Sequence, residues 1–329
     1  MPFANATPFA SIDVPMLDRN GREVVVVVLK ATYTVKSPDE IVLADEPAEI
    51  RVVDVMRDPK NPERSSAKYP SDLCMEKRGT DVVLVGSAVA KKRVTSVDVG
   101  VQVRSNSVAL KVHGMREYFR AILEVAISAS VPFEEMPIEW ERAYGGMAED
   151  FSVVESPNPS GVGVAKSDRD LVGKLAPQIE HPGMPHKTSK DRHPPAGIGP
   201  LLPHWSPRRE LAGTFDAAWQ KTRMPLMPLD FDIRHNNVAT PALIMEPSLV
   251  AGDNVSVLGM SHDLFAFRIP KMPVMIEAQY DSRSDVVRPQ IDTLILEPAK
   301  QRFEMVVRKA FPIGRGKDTL REIRADLDG

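Results

Sequence analysis

The sequence has one cysteine, no long apolar run and no surplus of either charge, and each shortage removes a class of protein. Cys74 has no partner for an intramolecular disulfide, and the N-terminus lacks both a basic n-region and an apolar h-region. The expected compartment is therefore the cytoplasm. No stretch of about 18 uninterrupted apolar residues occurs, so no membrane insertion is expected. Lys and Arg total 42 against 45 Asp and Glu, a net charge of -3, which leaves no global field to attract nucleic acid. Gly-x-Ser-x-Gly elbows and Gly-x-x-x-x-Gly-Lys phosphate loops are missing, and Gly161-Val162-Gly163 lacks the third glycine of a dinucleotide site. No catalysis and no cofactor are expected. Gly314-Arg315-Gly316-Lys317 is too short a basic patch to imply nucleic acid and reads as a solvated tail.

With 329 residues, 43% of them hydrophobic, the chain can bury a large core. Proline outnumbers glycine, 29 to 19, well above its average usage of about 5%, and so many φ-locked residues break helices and stiffen loops. After the hairpin-type pair Asn20-Gly21 comes Val24 to Val35, five valines followed by Leu29 and Lys30-Ala31-Thr32-Tyr33. A run of this kind without alternation predicts a central strand covered on both faces. Shorter strands are predicted at Ile41–Leu43, Ile50–Val53, Asp81–Ala90, Val97–Val103, Val108–Val112 and Ala121–Ile127, with a polar surface loop from Arg57 to Lys77. Further strands are predicted at Asn254–Leu258, Phe265–Ile269, Val274–Tyr280, Thr293–Leu296 and Phe303–Arg308. The expected fold is mainly β, a large sandwich or barrel-like composite core with one short helix, Glu210–Thr222, whose Trp219 faces the core.

Three parts follow: a β half over 1–150, a Pro-rich loop or arm over 151–203, and a half over 204–329 that completes the core. Ser156 to Pro203 holds nine of the prolines and six glycines without an apolar period. Its composition predicts an arm that buries little, moves when free and is cut first by proteases.

The densest stretch is Ile138 to Gly146, where Trp140, Glu141, Arg142 and Tyr144 precede Gly145-Gly146. It reads as a tight polar aromatic corner, or more plainly as a strand end closed by a Gly-Gly turn. Buried Trp140 and Tyr144 need polar partners, which Glu141 or Arg142 can supply. His181, His186 and His193 near Asp191 have the wrong spacing for a metal site and read as solvated loop histidines. Asp230, Asp232 and His235 could serve acid-base hydrolysis, but two alternating aspartates in an extended segment point to opposite faces. Cys74 reads as a small buried apolar residue. Proline-framed aromatics remain: Trp205-Ser206-Pro207-Arg208-Arg209, Phe215-Asp216 with Trp219, and Pro228 to Asp232. They suit a protein-binding surface, or a carbohydrate-binding one, or simply the second half of the core, with Trp205 beside Trp219.

In order along the chain, Glu141-Arg142-Ala143-Tyr144-Gly145-Gly146, His204-Trp205-Ser206-Pro207-Arg208, Leu211-Ala212-Gly213-Thr214-Phe215-Asp216 with Trp219 and Arg223, and Pro225 to Asp232 resemble the signature of the type VI secretion effector adaptors. Lys30-Ala31-Thr32-Tyr33, Ser71-Asp72-Leu73, Lys77, Thr80-Asp81-Val82 and Gly86 resemble the same family's first half. The chain departs from it at Met115, Tyr118 and Val307, where that family tends to carry an acidic residue and two tryptophans. The resemblance implies a cytoplasmic chaperone without catalysis. Its partners would be an effector toxin, bound near its N-terminal region, and the PAAR-tipped VgrG spike that receives it.

Overall fold

The structure, a computed structural model, describes residues 2–314 and 318–328; Arg315, Gly316 and Lys317 of the short basic patch lie outside them. Its centre is the 15-residue strand Glu23–Ser37, buried without interruption from Val24 to Tyr33. Side chains alternate between faces along a strand, so an unbroken apolar run must be covered twice. Val25, Val27, Leu29, Ala31 and Tyr33 enter the main core, whereas Val24, Val26 and Val28 join Val306 beneath Ile12, Met16, Ile50, Leu73 and Met75. On either side lie Ala10–Leu17 and Arg302–Pro312, both antiparallel. Ile291–Glu297, then Thr80–Leu84 in parallel, then Ile244–Met245 extend the sheet, and Glu40–Leu43 pairs with the far end of the central strand.

Against the first face stands a sheet in the order Ile179–Glu180, Asn106–His113, Ser96–Val103, Asn254–Leu258, Phe265–Arg268. Its Val99, Val101, Leu110, Val257 and Phe265 share the core with the central strand. The Phe267 ring stacks on Phe303 at 4.1 Å, and Phe303 in turn on Tyr33 at 5.1 Å. A third sheet joins Phe3–Asn5, Leu320–Leu327, Val274–Tyr280 and Ser284–Val287. The fold is mainly β, with strands from both ends of the chain in one core and no closed barrel. Among the described residues no helix is long and apolar enough to cross a membrane.

Several elements differ from the sequence expectations for local reasons. Ile50–Val53 forms no strand and is instead irregular cover, with Ile50 packed on the second face. Asp81–Ala90 is two strands, Thr80–Leu84 and Ser87–Val94, broken at Gly86, whose φ of 154° lies outside the ordinary strand range. The second strand leaves to pair with Phe133–Pro137. Ala121 to Glu124 is the turn of a hairpin between Tyr118–Arg120 and Val125–Ile127. The stretch from Arg57 to Lys77 is more than surface loop, since Ser65, Ser66, Ala67 and Asp72 are buried.

The α-helix is confined to Ala217–Thr222, because Gly213 at φ 84° interrupts the apolar spacing and Asp216 caps the start through the Trp219 amide. Trp219 is half-buried, packs on Phe215 and lies outside the core. Nor does the Pro-rich segment stand free. Leu171, Ile179, Ile198, Leu201 and Leu202 are buried, and its backbone bonds to Leu84, His113, Arg142 and Val238. Composition undercounts such a segment, since a few well-placed apolar side chains and prolines that lose little entropy suffice to seat it.

Candidate functional site

The corner begins as a 3-10 turn, Trp140–Arg142. Trp140 finds its polar partner in the Pro200 carbonyl at 3.1 Å, not in Glu141 or Arg142, and its ring meets Trp205 edge-on at 6.0 Å. Glu141 accepts from the Ser66 amide and hydroxyl at 2.7 and 2.8 Å. Arg142 donates to Glu139 at 2.8 Å and to Gln178 at 2.7 Å. The Asn158 amide donates to the Trp140 and Tyr144 carbonyls, which draws the 158–161 backbone against the glycine pair. A Cβ on Gly145 would stand 2.2 Å from the Asn158 oxygen and one on Gly146 2.4 Å from that of Gly161, so side chains there are excluded. The corner thus clamps four distant segments together. Arg142→Ala is expected to lower stability by about 1–3 kcal/mol by leaving the buried Gln178 side-chain oxygen without its donor, along with any binding that depends on the fold. An unchanged melting temperature would contradict this.

Behind Tyr144 lies a cluster around buried Glu180. It accepts from Arg116 at 2.6 Å and from the His186 amide at 2.9 Å, with His113 Nε2 at 3.0 Å. His186 is not a solvated loop histidine: it is buried, stacked on Tyr144 at 5.1 Å and edge-on to His193 at 5.0 Å. His181 and His193 are half-buried. Burial pushes the Glu180 carboxyl up, but contacts from His113, His186 and Arg116 outweigh it and hold the group well below the ordinary carboxylate value. A depressed folded value means this contribution to stability is whole above the unfolded value of about 4.3 and is lost as pH falls below it. The melting temperature is expected to drop on acidification through that region, and Glu180→Gln to flatten the drop; parallel profiles would show that Glu180 is not the group responsible.

The Trp205 side chain is buried at 1% exposure, and its neighbour is Trp140 rather than Trp219. Arg208 is buried too, donating to the Leu201 carbonyl and, at 2.9 Å, to that of His235. Neither is free to meet a partner, whereas Arg209 is exposed. Asp230 accepts from the Thr214 amide and hydroxyl, and Asp232 caps the turn Ile233–Asn236 and pairs with Arg234. Each carboxylate serves a different local partner, and burial of His235 lowers its pKa. Among the described residues no group of three or more His, Cys, Asp and Glu is placed to hold a metal. Cys74 is half-buried against Arg308, which makes it polar in setting rather than a plain apolar filler.

One charged constellation was missed in the sequence. On the second face of the main sheet, fully buried Lys30 pairs with Asp72 and lies 3.4 Å from Glu304, which Arg51 grips with two bonds of 2.6 and 2.7 Å. Beside them Lys77 binds Asp81 and Thr293, and Arg308 binds Asp292. The signal was a lysine inside an apolar strand, which a sheet tolerates only when an anion meets it.

The remaining motif residues build an outlying platform. The Trp219 indole donates to the Leu226 carbonyl at 2.8 Å, Arg223 to that of Met227 at 2.7 Å, and Asp230 ties residue 214 to 230. Arg223 also reaches the Arg19 carbonyl, and Leu226 packs against Gly21, which fixes the platform to the first hairpin. Its helix buries nothing, and Phe215, Met224, Met227 and Leu229 are each at least half exposed.

Fold and site together define a β-rich scaffold with clamped loops and an exposed apolar platform. The chain belongs to a family described as an uncharacterized protein conserved in bacteria (DUF2169), whose model matches residues 20–308. No curated protein and no solved structure matches it.

Proposed function

We propose that the protein is an adaptor, a cytoplasmic chaperone that binds a type VI secretion effector and helps load it onto the PAAR-tipped VgrG spike. The observation that carries this reading is the platform. A tryptophan, an arginine, two aspartates and several prolines are committed to fixing a loop whose large apolar side chains face outward. Rigid display of apolar groups costs solubility, and it is retained where a partner covers them. The ordered motifs from Lys30 to Asp232 support the reading by resemblance, and the corner and ionic clusters supply the stiff frame that a binding loop needs.

Deleting the gene in its host is expected to abolish secretion of one effector while leaving the spike and other effectors secreted. The purified protein should form a complex with that effector. Unaltered secretion of every effector, or turnover of ester, phosphate or glycoside substrates that Asp230→Asn abolishes, would overturn the proposal.

A further inference from the structure

We infer that residues 45–76, the cover over the second face of the main sheet, form a flap that opens as one unit while the rest of the fold stays closed. This goes beyond the adaptor reading and does not depend on it. The backbone gives the first reason. Among the described residues, every backbone-to-backbone bond of the cover stays inside it: Arg57 donates to Ser66, Asp72 to Arg51, and Val55–Met56 pairs with Ala67–Tyr69. The bond from Ala44 to Thr32, which ties the chain to the sheet, lies just before the cover begins. A strand within a sheet cannot leave without breaking a ladder, whereas this segment can.

The second reason is what seats it. Its fully buried side chains are Ser65, Ser66, Ala67, Pro70 and Asp72, of which two are apolar. Ile50, Leu73 and Met75, which meet the valines below, are half-buried, as are Met56 and Tyr69 against the main core. Polar contacts complete the hold: Asp72 on Lys30, Arg51 on Glu304, Tyr69 on Glu297 at 2.6 Å, and Ser66 on Glu141. Apolar contacts are lost in proportion to area when a segment lifts into water. Ion pairs differ, because opening returns both partners to water and restores the hydration that burial removed. Substituting one partner instead strands the other in a closed fold, so a pair that is sensitive to mutation can still part readily. The cover therefore belongs to the low end of local stability, and the valine strand beneath it to the high end. Lifted, the flap bares Val24, Val26, Val28 and Val306 together with Lys30 and Glu304.

The test is thiol labelling of the full chain under native conditions, in a Cys74→Ser background that removes the one native thiol. Val306 and Val307 are neighbours on Arg302–Pro312 and both buried, the first on the second face and the second in the main core. Val306→Cys is expected to react with dithiobis(nitrobenzoate) at least about a hundredfold faster than Val307→Cys, which waits for global unfolding. Ala67→Cys, on the cover itself, should react at a rate similar to Val306→Cys, since one opening exposes both. Equal rates at 306 and 307 would show that the cover leaves only with the whole fold and overturn the inference. So would a fast Val306→Cys beside a slow Ala67→Cys, because the face would then be reached without the cover moving. Hydrogen exchange of the unsubstituted chain asks the same question without a new thiol. The Ser66 amide, bonded to Glu141 across the interface at 2.7 Å, should exchange far faster than the amides of Val24 to Tyr33, and equal protection would overturn the flap as well.

Discussion

Asp72→Leu or Lys30→Met alone is expected to destabilise the protein by about 3–5 kcal/mol, the usual effect of leaving one partner of a buried ion pair uncompensated. The Lys30 ammonium is fully buried, and besides Asp72 its nearest polar groups are the Glu49 carbonyl at 3.0 Å and Glu304 at 3.4 Å. Glu304 is already satisfied by Arg51. Loss of Asp72 also strips the acceptor from the Arg51 amide, so backbone cover over the second face loosens with it. The double change Lys30→Met with Asp72→Leu should cost less than the sum of the two single changes, because no charge is then stranded. Urea unfolding of the four proteins measures this. The exposed pair Arg324 and Asp326 provides the contrast, with a much smaller loss expected because water and salt screen it. Single changes at Lys30 or Asp72 that cost no more than that would show the buried pair to be unimportant.

Trp205→Ala is expected to cost a further large amount, about 3–5 kcal/mol for a buried aromatic whose cavity cannot fully collapse. Its ring sits beside Trp140, and the Trp140 indole is bonded to Pro200, so the cavity would open under the corner itself. Neighbouring arginines separate structure from surface. Arg208→Ala should destabilise, since two carbonyls lose their donor, whereas Arg209→Ala should stay within about 0.5 kcal/mol of wild type. Equal effects at the two positions, read from thermal melts, would mean that this burial pattern is misjudged.

The β class, the doubly covered strand at Val24 to Val35 and the joining of both chain ends in one core were legible, because an unalternated valine run has few other meanings. The corner was legible as a corner, from its glycine pair. Its partners were not, since Ser66, Asn158, Gln178 and Pro200 lie far away in sequence and have ordinary surroundings there. The Pro-rich segment was misread for a related reason: periodicity detects helices and strands, and a chain seated by isolated contacts has no period. Trp205 and Trp219 were told apart only by the fold. Both stand between prolines, but the Trp205 segment enters the core and the short helix that carries Trp219 lies outside it. Lys30, a lysine amid valines, already demanded a buried acid, but nothing in the sequence near it marks Asp72, 42 residues away, as that acid.

The pairing of Glu23–Ser37 with Arg302–Pro312 also governs how the chain is made. The valine run leaves the ribosome long before the strand that covers its second edge has been synthesised. Until then it is an uncharged, β-branched segment with a bare edge, the type of sequence that aggregates with copies of itself. Closing so long a loop is slow as well. The segment that centres the finished sheet is therefore the nascent chain's greatest hazard, and a protein proposed to shelter another's exposed surface depends on shelter during its own synthesis.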